Sequence, residues 1–255
     1  MIIDKVYLIN LDISVDRFNK ADSILKKVGG IFADYKRISG IYGKDLSIDY
    51  VKSITTPYSY YYLNNERDLH FQIDRVNAIG CYLSHVAVWK DMVLNNYQNI
   101  IILEDDILDF NYDIIMTYID NLPIGVQIAH LHYTDMLASI KFNKINKYWY
   151  TSNHLLIPSA VAYLLNINLA KQFIEKSLPI DTHIDFYMNY YCINNNIPKY
   201  YSNKIIINTG VEPSIIDHNY LIIFKHELLH PYWLLIVSIV LVFVFIIFMI
   251  QYYKK

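Results

Sequence analysis

The chain has 255 residues, a formal net charge of −2, and 54% hydrophobic against 18% charged residues. That length suits one globular domain, or one domain with an appendage, and the near-neutral balance excludes an electrostatic nucleic-acid binder. Seven Gly and seven Pro exclude a collagen-like or disordered chain, while two cysteines, Cys81 and Cys192, are too few for a disulfide-stapled scaffold and show no zinc-ligand spacing.

In chain order, Lys5 to Asn10 is a short apolar run that reads as a strand and ends in a polar turn. Ser14 is placed to cap a helix, with Asp16 in its first turn. Phe18, Ala21, Leu25 and Val28 recur at helical spacing until Gly29-Gly30 closes the helix. Ile31 to Ile38 reads as a second strand, so the first forty residues form a βαβ unit. Thr55 to Gln72 is polar and rich in Tyr and reads as an irregular loop. Its Tyr58, Tyr60, Tyr61 and Tyr62 either offer aromatic faces to a bound ligand or are simply solvated. An amphipathic helix is predicted over Ala78 to Asn95. Ile100 to Leu103 is continuously apolar, as a central parallel strand should be, and ends in Glu104-Asp105-Asp106. Val126 to His132, Ala160 to Leu165 and Lys199 to Ile207 are further strand candidates, with a helix over Leu169 to Lys176. Alternating strands and helices predict an α/β layered fold with a mostly parallel sheet.

The mean hydropathy of +0.19 is raised by one segment. Tyr232 to Ile250 carries no charge and is long enough to span a hydrocarbon core. Tyr232 and Trp233 suit one interface, and Tyr252, Tyr253, Lys254 and Lys255 the other. The domain organisation expected is therefore 1–226 for the globular part, 232–250 for one transmembrane helix and 251–255 for a short basic tail. Met1 to Asn10 does not resemble a signal peptide, so the expectation is a single-pass C-terminal anchor with the globular domain in the cytosol. The lack of any Asn-x-Ser/Thr acceptor fits that placement.

In open α/β sheets, ligands bind beyond the carboxyl ends of strands, near a switch in strand order. Two strand ends are unusually polar here: Asn10-Leu11-Asp12 and Glu104-Asp105-Asp106. Hard oxygen ligands at such an end suit Mg²⁺ or Mn²⁺ sharing its shell with phosphates. Alternation lets Glu104 and Asp106 converge on one face while Asp105 points elsewhere. The plainer alternative is a strand terminated by solvated carboxylates.

Gly80-Cys81-Tyr82-Leu83-Ser84-His85, then Trp89, then Ile102-Leu103-Glu104-Asp105-Asp106-Ile107 resemble the signature of glycosyltransferase family 25. That family includes bacterial lipooligosaccharide galactosyltransferases and collagen hydroxylysine galactosyltransferases. Val6 to Asp12 with Asp16-Arg17 resembles its opening strand and helix. Ile41-Tyr42-Gly43-Lys44 resembles its second-strand exit, with Tyr42 where Asp is usual. Ala162-Tyr163-Leu164, Leu178-Pro179-Ile180-Asp181 and Asp185 resemble its C-terminal half. The resemblance implies a GT-A-like, Rossmann-like fold, a UDP-sugar donor, a divalent metal and inversion at the anomeric carbon. Family members commonly show Glu where this chain has Ala78.

From this resemblance and the chemistry of sugar–phosphate cleavage, Glu104 and Asp106 are the expected metal ligands for Mn²⁺ or Mg²⁺. Asn10, Asp12, Arg17, His85 and Glu104 are the expected nucleotide-sugar contacts. Arg17 either meets phosphate or makes a structural ion pair, and His85 either meets donor phosphate or is a satisfied helix histidine. Asp181 and Asp185 are the candidates for the base that deprotonates the acceptor hydroxyl, or else they cap a helix. Cys81 reads as a packing residue. The expected function is a membrane-anchored hexosyltransferase moving galactose or glucose from a UDP-sugar to a glycan or protein acceptor. The alternative is an inactive family member serving as a membrane-tethered binding or scaffold protein.

Overall fold

The computed structural model describes residues 1–65, 69, 71–133, 143–152 and 159–210. The elements in order are β1 (Lys5–Leu11), α1 (Val15–Val28), β2 (Lys36–Gly40), α2 (Ile48–Ile54), α3 (Pro57–Tyr62), α4 (Val76–Leu94), β3 (Asn99–Glu104), β4 (Ile107–Asp109) and α5 (Tyr112–Asp120). They continue as β5 (Ile128–His130), β6 (Asn143–Lys144), β7 (Trp149–Thr151), β8 (Ala162–Asn166), α6 (Ile167–Lys176), α7 (Ile184–Asn194), β9 (Tyr200–Ser202) and β10 (Asn208–Thr209). The central sheet runs β2-β1-β3-β8-β5-β9-β7-β6, and β4 pairs separately with β10.

Both faces of this sheet are buried, which is why its central strands are apolar at every position rather than at alternate ones. Tyr7 and Ile9, Ile100 and Ile102, and Tyr163 and Leu165 face the core built with α4, α6 and α7. Val6 and Leu8, Ile101 and Leu103, and Ala162 and Leu164 face the core built with α1 and α5. β1 pairs in parallel with both β2 and β3, so the connection reverses direction across the sheet between β1 and β3. That switch opens a crevice at the carboxyl ends of these three strands.

Six of the eight strands share one direction; β7 runs antiparallel to β9 and β6, and a second departure lies at the centre of the sheet. β8, expected among the parallel strands, runs antiparallel to both β3 and β5. The second strand also moves: Gly30–Phe32 is a 3-10 turn and the strand begins at Lys36. Phe32 explains the shift, because it is buried and packs edge-on against Phe110 at 4.9 Å instead of alternating along a strand. α1 ends at Gly29, whose φ of 77° suits the residue that closes a helix. The Tyr-rich stretch contains a helix rather than a loop alone. Pro57 sits in its first turn, and the side chain of Thr56 accepts from Ser59 N at 3.1 Å. Tyr58 and Tyr62 pack on one another at 5.1 Å in that helix.

Among the described residues no helix is long and apolar enough to cross a membrane. The expected transmembrane helix at 232–250, the basic tail at 251–255 and the end of the globular unit at 226 lie outside the described residues.

Candidate active site

A cavity of about 130 Å³ lies at the carboxyl ends of β1, β2 and β3. Asn10 and Leu11 come from β1, Gly40 to Gly43 from the exit of β2, and Glu104 to Asp106 from the end of β3. Ser14 and Arg17 of the α1 start and Asn77, Cys81 and Ser84 of α4 complete its lining.

Two glycines let α4 lie directly on the β2 exit. A Cβ on Gly80 would stand 2.3 Å from the Ile41 carbonyl oxygen, and one on Gly43 1.9 Å from that of Val76. Backbone cannot yield at such distances, so any side chain would lever α4 off the cavity. Ser84 locks the contact, accepting from Ile41 N at 2.8 Å and donating to the Gly80 carbonyl at 2.7 Å. The spacing of the motif follows: Gly80 and Ser84 share the face on the loop, and one residue further round, Cys81 and His85 share the next.

The β1 side of the cavity is a closed hydrogen-bond network around Asn10, whose side chain is buried. Asn10 Nδ2 donates to the Ser14 carbonyl at 3.1 Å and to Asp105 Oδ2 at 2.6 Å. Its Oδ1 accepts from Arg37 Nε at 3.1 Å and Nη2 at 2.6 Å. Arg37 also donates to Asp12 at 2.6 Å, and Ser39 to the other Asp12 oxygen at 2.5 Å. Ser39 first, and then Arg37, hold the exposed Asp12 carboxyl below its usual range. Arg17 forms an ion pair with Asp105. Burial pushes the Asp105 carboxyl up, against the opposing pull of Asn10 and Arg17. Asp105 therefore does not point away from the site; it ties β1, α1 and β3 together.

The β3 and α4 side is different. Among the described residues, Asp106 Oδ1 and Asn77 Oδ1 are buried without a hydrogen-bond partner, and so is Arg17 Nε at the cavity's edge. Burial, and then the neighbouring Glu104 charge, push the Asp106 carboxyl well above its ordinary range. Glu104 meets His85 Nε2 at 3.1 Å. Behind it, His85 Nδ1 lies 2.9 Å from Tyr163 Oη, which accepts from Trp89 Nε1 at 3.0 Å. Since Tyr163 Oη can donate to Nδ1, this chain places a proton on Nε2 facing the carboxylate.

The two proposed bases separate. Asp185 stands in the first turn of α7, and burial raises its carboxyl to about 6, with Glu104 adding to the rise and His85 opposing it. Asp181 is exposed and accepts from Thr56 Oγ1 at 2.5 Å, which ties it to the start of α3. It does not cap α7, whose N-cap residue is His183. His132, beyond β5, lies within the field of Glu104 and donates through Nδ1 to the Ile207 carbonyl at 3.0 Å. Sequence reasoning did not single out Asn77, His132, or Tyr163 as a partner of His85. Only the i, i+4 step from Cys81 to His85 was readable in advance. None of the four tyrosines of the α3 region lines the cavity.

A larger cavity, about 710 Å³, opens between α1, β4 and α5 and is lined by Lys27, Asp109, Tyr112 and Lys204 among others. It contains none of Glu104, Asp105 and Asp106, nor any of the three unpartnered atoms of the strand-end crevice. Chemistry rather than size places the site at the smaller cavity.

The fold and this strand-end site are those of an α/β domain with a polar crevice at the strand-order switch, and the sequence comparison makes the class specific. Residues 3–188 match glycosyltransferase family 25 (LPS biosynthesis protein), and the chain belongs to that family. A glycosyltransferase 25 family member of Aedes aegypti is 23% identical over 229 residues, covering 84% of this chain and 35% of the relative. A procollagen lysyl hydroxylase and glycosyltransferase of Acanthamoeba polyphaga mimivirus is 30% identical over 160 residues, covering 54% of this chain and 16% of the relative. The chain thus spans about a third or less of the length of these relatives. Among solved structures, mouse xyloside xylosyltransferase 1 in its apo form aligns at 10% identity with a TM-score of 0.39, over 78% of this chain and 84% of that one.

Proposed function

We propose that the domain is a GT-A-type hexosyltransferase that moves galactose or glucose from a UDP-sugar to a glycan or protein acceptor, using Mn²⁺ or Mg²⁺. We read the apolar segment at 232–250 as its membrane anchor. One observation carries the reading. Three buried polar atoms without protein partners, on Arg17, Asn77 and Asp106, line one crevice at the strand-order switch. Buried groups of this kind find partners in native proteins, so their joint lack points to a polar ligand.

The residues fit a hard divalent ion, because the unpartnered Asp106 Oδ1 stands beside the Glu104 carboxylate. When bound, such an ion supplies Lewis-acid stabilisation of the departing diphosphate. Asn77 and Arg17 Nε contribute an acceptor and a donor to the nucleotide, and Tyr42 and Ile41 give the cavity its apolar lining. Asp185 takes the proton from the acceptor hydroxyl. Its raised pKa makes it a stronger base than a solvated carboxylate while leaving it ionised at neutral pH. Ala78 is only 3% exposed, packs in the apolar core and does not line the cavity, which favours a working enzyme over an inactive scaffold.

The test is UDP release by the full chain in detergent from UDP-galactose or UDP-glucose with Mn²⁺. The relatives' descriptions supply two acceptor classes, a lipopolysaccharide fragment and a hydroxylysine-bearing collagen peptide. Metal-dependent release stimulated by one acceptor is expected. A folded chain that releases no UDP with either acceptor, and binds neither donor, contradicts the proposal.

A further inference from the structure

We infer that Cys81, His85 and Glu104 form a second kind of cation site, a three-ligand site for a borderline-soft divalent ion of the Zn²⁺ class with its fourth position open to the crevice. One ligand atom from each residue, Sγ, a ring nitrogen and a carboxylate oxygen, lie within 4.8 Å of one another. Cys81 and His85 stand one helical turn apart on α4, and Glu104 approaches from the end of β3. Cys81 and Glu104 both line the crevice, so a ligand exchanged at the fourth position comes from there.

The donor set separates this site from the all-oxygen one. A thiolate and an imidazole select Zn²⁺ or Co²⁺, whereas Mg²⁺ and Mn²⁺ prefer carboxylates and water. His85 also has the support that metal-bound histidines usually have, a hydrogen-bond partner on the other ring nitrogen. With a cation on Nε2 the ring proton sits on Nδ1, where Tyr163 Oη at 2.9 Å accepts it, and the cation takes the place of the Nε2 proton that otherwise faces Glu104 Oε1 at 3.1 Å. A divalent ion bound there displaces the Cys81 thiol proton to solvent.

The site shares Glu104 with the donor-metal reading but does not depend on it. The probe is Co²⁺, titrated anaerobically into the full chain in detergent. Wild type and Cys192→Ser are expected to show the near-ultraviolet thiolate-to-cobalt charge-transfer band, abolished by about one equivalent of Zn²⁺. Cys81→Ser should lose the band, and Asp106→Ala should keep it even where UDP-sugar binding is gone. X-ray absorption of the zinc-loaded wild type needs no variant to fold. It should show one sulfur at about 2.3 Å with nitrogen and oxygen neighbours. An all-oxygen shell, or a cobalt band that persists in Cys81→Ser, overturns the inference.

Discussion

On the β1–β2 wall of the crevice, both donors and the acceptor of the Asn10 amide are matched by protein groups. On the β3–α4 wall, Asp106 Oδ1 and Asn77 Oδ1 have no hydrogen-bond partner among the described residues. The two walls rest on adjacent strands of one parallel set, so the difference is one of role. The satisfied wall is a frame that fixes where β1, α1 and β3 end. The unsatisfied wall keeps its polar capacity for a ligand. A cavity is therefore better located by unmet hydrogen bonding than by volume, as the larger cavity beside α5 illustrates.

Substitutions can break this contrast in a graded way. Asp106→Ala removes the central group of the unsatisfied wall and should lower transfer by about 10³-fold, the scale of losing one electrostatic stabiliser of a departing anion. Single-turnover rates with saturating donor check it. Asp185→Asn should cost about 10²-fold in kcat, with the fold intact, as loss of a general base does. Asp181→Asn should instead alter stability by about 1 kcal/mol, through the Thr56 bond, and leave kcat near wild type. On the satisfied wall the effects reverse. Asn10→Ala strands Asp105 and the Arg37 donors and should cost about 1–3 kcal/mol in denaturant unfolding.

pH sharpens the contrast further. The rate should fall as pH drops through about 6, where Asp185 becomes protonated, and a pH–kcat profile of Asp185→Asn should lack that limb. Stability has the opposite sign. A carboxyl whose pKa is raised on folding binds its proton more tightly in the folded state. Its contribution is full below the unfolded value of 3.8 and declines as pH rises through the folded value near 6. Asp106 is shifted in the same direction. Asp106→Asn should consequently raise the metal-free melting temperature at neutral pH by about 2–4 °C while abolishing donor binding, readable by calorimetric scans with and without Mn²⁺.

The sheet was legible in the chain wherever burial on both faces produced an uninterrupted apolar run, as in β1 and β3. The helix that carries Gly80 to His85 was legible from its amphipathic spacing instead. The reversal of β8 was not, because an apolar five-residue strand has no direction in its composition. Phe32 misled in a related way, since its burial against Phe110 comes from tertiary packing that no alternation encodes. At the site, Glu104 and Asp106 could be placed from the strand end alone. Separating Asp185 from Asp181 required knowing that α7 begins at Ile184 and that Thr56, far away in sequence, reaches Asp181. Tyr163 is equally remote: only the antiparallel register of β8 on β3 brings it behind His85.

The most direct measurement is isothermal calorimetry of UDP-galactose and UDP-glucose on the full chain, with and without Mn²⁺, beside Asp106→Ala. Metal-dependent binding of one donor that disappears in the variant is the predicted result. Binding of neither donor by folded wild type, or binding that survives unchanged in Asp106→Ala, would contradict the assignment of the unsatisfied wall as the donor site.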